Sequence, residues 1–190
     1  MNASFRRFAA AFALSFATSA QAQHIQVNNA GLEISEARYF LNADFRLDLS
    51  GPLLEALNNG VSLGFLVEFQ LEHPRWYWFD EKTAAEKLEL RLSYLPLAQQ
   101  YQLSSGTLHQ NFATLAEALQ ALGRVHGWPV LGQDQVDNGR NYIASVRLRL
   151  DPAQLPTPFR VSTVTNREWT LSSDWKRFPF TPLAPVREAR

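Results

Sequence analysis

Cysteine is missing from the 190-residue chain. Disulfides, a thiol nucleophile and cysteine metal sites are therefore excluded. A glycine-rich phosphate loop and a Gly-x-Ser-x-Gly nucleophile elbow are missing too; Gly64 stands alone between apolar neighbours. The four histidines, His24, His73, His109 and His126, are not spaced as metal ligands. They read as surface or loop-edge residues, with His24 at a frayed end. Asp134, Asp137 and Asn138 place oxygen ligands in one loop, but without the alternation of a calcium loop, and Asn138-Gly139 reads as a turn. No metal or other cofactor is expected. Asp44 and Asp48 share a strand face about 13 Å apart, beyond either glycosidase geometry. Glu68 and Glu72 have the same spacing and read as a solvated face. The reading is a non-enzymatic protein. An unrecognised hydrolase would have to assemble a polar cleft with a carboxylate or histidine of shifted pKa from distant positions.

An excess of charge is missing as well: 18 basic side chains face 18 acidic ones. Neither nucleic acid nor an anionic lipid surface is offered a field. Long hydrophobic runs are few. The run from Phe8 to Phe16 is shorter than the roughly 20 residues that span a bilayer. With Arg6 and Arg7 before it and Ala20-Gln21-Ala22 after it, it reads as a cleavable secretory signal over residues 1–22, and the mature chain starts near Gln23. A buried N-terminal helix is the alternative. The arginine pair is a loose match to the folded-protein export signal, so general secretion and a periplasmic address are expected. No later stretch is long and apolar enough for membrane insertion. Cleavage would leave 16 basic and 18 acidic side chains, a net charge of −2.

What is present is period-two alternation. Hydrophobic residues make up 46% and charged residues 19%, the balance of a globular chain. Tyr39, Leu41, Ala43, Phe45, Leu47 and Leu49 alternate with polar positions. So do Val61, Leu63, Phe65, Val67, Phe69 and Leu71, then Leu88, Leu90 and Leu92, and later Tyr142 through Leu150. Weaker strands, 101–104 and 107–112, flank Ser105-Gly106. Ser50-Gly51-Pro52 opens a short helix that ends at Asn59-Gly60. Thr114 with Glu117 predicts a capping box on a second. In the proline-rich tail, 160–164 and 167–171 suggest edge strands. Residues 23–190 are therefore expected to form one mainly β domain, an antiparallel immunoglobulin-like β-sandwich with one or two short helices. The competing architecture is a single curved sheet carrying the Thr114 helix.

Four consecutive aromatics, Trp76, Tyr77, Trp78 and Phe79, follow Arg75. Continuing the parity of the long strand puts Trp76 and Trp78 on its polar face. A bulge at Pro74 would reverse this and bury them.

Several segments carry a resemblance: the strand from Tyr39 to Leu49, Leu53-Leu54-Glu55-Ala56-Leu57 with Asn59-Gly60-Val61, Pro74-Arg75-Trp76-Tyr77-Trp78, Leu92-Ser93-Tyr94-Leu95-Pro96-Leu97, Leu115-Ala116-Glu117-Ala118-Leu119, Leu148-Arg149-Leu150-Asp151, and Trp169-Thr170-Leu171-Ser172-Ser173-Asp174-Trp175. Together they resemble an uncharacterised family of exported proteobacterial proteins, classed as a domain of unknown function. The resemblance spans nearly the whole mature chain. Its members are encoded near nitrogen-regulation-type sensor kinases, which implies at most an envelope accessory role; the family has no assigned activity, so the resemblance carries over no catalytic residue. The expected function is binding of another envelope protein, such as the periplasmic domain of a membrane sensor kinase. Its expected surface is Arg75, Trp76, Trp78, Trp169 and Trp175. The alternative is a carbohydrate- or peptidoglycan-binding module that stacks sugars on exposed tryptophans.

Overall fold

Alternation builds the centre of the molecule. The computed structural model describes residues 25–49, 51–74, 81–156 and 169–182; residues 1–22, read as a signal, lie outside them. The elements in chain order are β1 (Gln26–Ser35), β2 (Arg38–Arg46), α1 (Gly51–Asn58), β3 (Leu63–His73), β4 (Glu81–Leu95), β5 (Gln100–Ser105), β6 (Leu108–Phe112), α2 (Leu115–Leu122), β7 (Arg124–Gly132), β8 (Tyr142–Leu150) and β9 (Lys176–Phe180). On β3, Leu63, Phe65, Val67, Phe69 and Leu71 are fully buried. The even positions of β8 and the odd positions of β2 join them in one core. Burial of each such side chain is worth roughly 1.5–3 kcal/mol.

The strands form two antiparallel sheets, one of six strands in the order β6-β5-β4-β3-β8-β9 and one of three in the order β1-β2-β7. Contacts set β1 against β9 and β7 against β4, while α2 lies over β5 and β6. The small sheet thus roofs one part of the large sheet, while α2 and α1 pack on other parts, α2 over β5 and β6 and α1 against β4. This is a mainly β antiparallel sandwich with two short helices, and the single-sheet alternative is set aside. Among the described residues no helix is long and apolar enough to cross a membrane.

Both helices close as their sequences direct. Gly60 takes φ +84° after α1. Its N–H donates to Leu57 O and that of Val61 to Ala56 O, a Schellman closure that needs the left-handed conformation glycine supplies. At α2 the Thr114 hydroxyl accepts from Glu117 N–H, and the Glu117 carboxylate accepts from Thr114 N–H.

The edges depart from the sequence reading. β1, β7 and β9 were not legible as strands, and β4 begins seven residues before the expected Leu88. β7 is an edge strand with two register shifts against β2. Gly127, at φ +67°, lies in one of the shifts and donates its N–H to Asn42 Oδ1. Pro129 sits at the other, where an edge strand tolerates the loss of a donor. The β1–β2 hairpin turns on Glu36 and Ala37, both left-handed, without the Asn-Gly signal of such turns. In the tail, residues 160–164 lie outside the described residues. Of 167–171, Leu171 extends the sheet by accepting from Leu150 N–H at 2.7 Å.

Candidate functional site

Of the expected tryptophan surface, only Trp169 and Trp175 lie among the described residues. Arg75, Trp76 and Trp78 lie outside the described residues. Trp169, expected as a contact residue, is a core residue instead, only 7% exposed. Removing so large an apolar ring from water outweighs leaving it on the surface. Trp175 is half-buried, and the Arg147 guanidinium lies 4.4 Å from the centroid of its ring, in cation–π geometry. One face of that indole is already taken by the protein.

Arg147 belongs to a charge cluster on the outer face of the six-stranded sheet. Its centre is Glu68 of β3, which was expected to be solvated and is buried instead. Pairing with β8 sets Glu68 opposite Arg147 and beside Arg149. Arg147 Nε donates to Glu68 Oε2 at 2.5 Å. Arg149 grips both oxygens, Nε to Oε2 at 3.2 Å and Nη2 to Oε1 at 3.3 Å. The segment before β9 adds cover: Ser172 bridges to Arg149, and Ser173 exchanges hydrogen bonds with Leu148. Burial alone pushes the Glu68 carboxyl up, but the hydrogen bonds and charges of Arg149 and Arg147 win and hold it below the usual carboxylate range. Arg149 also approaches Asp151 at 3.8 Å. Two cations meet two anions, so the cluster ties β3, β8 and the tail together and offers a ligand little net charge.

The other polar expectations resolve into local structure. Asp137 pairs with Arg140 at 2.6 Å beside the Asn138-Gly139 turn. Asp44 Oδ1 meets His126 Nε2 at 3.0 Å, which ties β2 to the irregular part of β7. His73 Nδ1 contacts Asn141 O and His109 Nδ1 contacts Ser104 Oγ.

Among the described residues, one flank of the sandwich holds two adjoining open cavities. A cavity of about 420 Å³ lies between β4, β5, β6, α2 and β7. Leu88 and Leu90 of β4, Leu103 of β5, Leu108 of β6, and Trp128 and Pro129 of β7 give it a largely apolar lining. Leu108 stands on its rim, 73% exposed. A second cavity of about 530 Å³ adjoins it at Pro129 and is lined by Glu36, Arg38, Glu86 and Asp134. The groove was missed in the sequence because its roof, β7, does not alternate. The one local signal was Gly127-Trp128-Pro129, an aromatic between two strand-breaking residues.

No curated protein and no solved structure matches the chain. A family model does, over residues 22–179, and its description is a domain of unknown function, DUF4390. As the sequence resemblance implied, the chain belongs to an uncharacterised family, that domain of unknown function.

Proposed function

We propose that this protein is a non-enzymatic, exported binding module whose partner is another envelope protein, the periplasmic domain of a membrane sensor kinase being the leading candidate. The observation that carries the reading is the apolar groove on the open flank, with Leu108 exposed at its rim. Isolated surface leucines are ordinary, and Leu97 is one: it is fully exposed on the β4–β5 turn, at the other end of β5. Leu108 differs because it continues into an apolar cavity whose lining stays wet until something covers it. Ser105, Gln110, Arg124 and His126 supply the polar part of the lining and the apolar side chains the larger part, which suits recognition by apolar contact with a few orienting hydrogen bonds.

The test places a photo-cross-linking amino acid at position 108 in one experiment and at 97 in another, in cells that express the full chain. Position 108 is expected to give one dominant adduct with an envelope protein, and position 97 none. The same adducts from both positions, or none from 108, reject the reading. A sugar polymer trapped in place of a protein would turn it toward the carbohydrate alternative.

A further inference from the structure

β4 is 15 residues long, yet its two neighbours use it unequally. β3 pairs along it from Glu81 to Leu92. β5 pairs only with residues 91–95. Among the described residues, no strand lies beside 83–90 on the side away from β3. This stretch runs about 26 Å at the usual rise per residue. Ala85, Glu86, Lys87 and Glu89 along it are exposed. β7, the edge of the other sheet, contacts β4, and two cavities that share Pro129 border this stretch, one at Leu88 and Leu90 and the other at Glu86; the two are together termed the trough.

We infer that this trough is a strand-acceptor site: an extended segment of the partner polypeptide adds to the edge of β4 that no described strand covers and completes the six-stranded sheet. The inference rests on the binding reading above and names how the partner is held. Edge N–H and C=O groups that no described strand pairs are hydrated, and the ligand that replaces that water along the whole row is another extended backbone, which selects a polypeptide over a sugar or a lipid. The inward side of the added strand would face Leu88, Leu90 and Trp128, so apolar residues are needed at every second position. The far cavity has the opposite character. Glu36, Glu86 and Asp134 outnumber Arg38 there, so the segment should carry lysine or arginine at the end that reaches it.

The probe is a random peptide library displayed on phage and selected against the purified full chain. Enriched peptides are expected to show apolar residues at i, i+2 and i+4 with a basic residue at one end. The best binder, resynthesised with single backbone N-methyl groups, should lose at least ten-fold in affinity at alternate amides and little at those between. Because that scan alters the peptide, it does not depend on any protein variant folding. On the protein, Leu88→Lys should weaken binding, and Glu86→Lys should remove the preference for a basic end. Peptides of helical periodicity, no enriched peptide, or an N-methyl profile without alternation would overturn the strand-acceptor site. Alternating N-methyl sensitivity with no envelope protein cross-linked at position 108 would leave the acceptor site standing and defeat the functional reading. The converse result would do the reverse.

Discussion

Glu68→Ala is expected to cost about 3 kcal/mol of folding stability at neutral pH, within the range for breaking a buried ion pair from one side and at its low end. The Glu68 side chain is only 9% exposed, whereas Arg147 and Arg149 retain 31% and 25% exposure, and that residual water moderates the loss. For a chain of this size the melting temperature should fall by about 6–12 °C. The effect carries a pH signature. Because the folded carboxyl titrates below its ordinary value of about 4.3, its contribution is present above that value and is lost as pH falls through the lower folded one. Urea midpoints of wild type and variant should therefore differ most near pH 7 and converge toward pH 3. An equal gap at both values would contradict the charge account. The pair need not make the protein more stable than an apolar trio would; the cost lies in leaving two arginines half-buried without their carboxylate.

Phe69→Ala should cost about 4 kcal/mol, the cavity-forming loss typical of a large aromatic. Phe69 is fully buried on the central strand, with Glu86 of β4 and Val146 of β8 as its flanking register partners, so backbone neighbours on both sides limit collapse into the void. Phe40 is the control. It has the same chemistry on β2 but the opposite parity, and is half-buried between the core residues Tyr39 and Leu41. Phe40→Ala should cost less than half as much. Denaturant unfolding of both variants at one temperature decides it: equal losses would mean that strand parity does not determine what is buried.

How far the sequence spoke follows from where each strand sits. β2, β3 and β8 have one face in the core, so their apolar residues recur at period two and were legible. The caps were legible because their chemistry is local: Thr114 with Glu117, and Gly60. β1, β7 and β9 are sheet edges, and bulges at Asn28 and along β7 break the alternation. The first half of β4 was illegible for another reason. Ala84, Ala85, Glu86, Lys87 and Leu88 are good helix formers, and only pairing with β3 makes them a strand. Parity put Glu68 on the face away from the core, as observed. Its burial depends on Arg147, Arg149 and a tail segment about a hundred residues away, which no local pattern carries. The groove was hidden for both reasons, with one wall on illegible β7 and the other on illegible β4.

The open flank is the central claim, and residue-resolved amide hydrogen exchange on the full chain tests it directly. In an antiparallel strand, alternate amides point to opposite neighbours. Between 83 and 90 of β4, amides directed toward β3 should exchange as slowly as those of β3 and β8. Every second amide, facing the open edge, should exchange at least about a hundred-fold faster. Uniform slow exchange across 83–90 would mean that this edge is already covered, and would contradict the account.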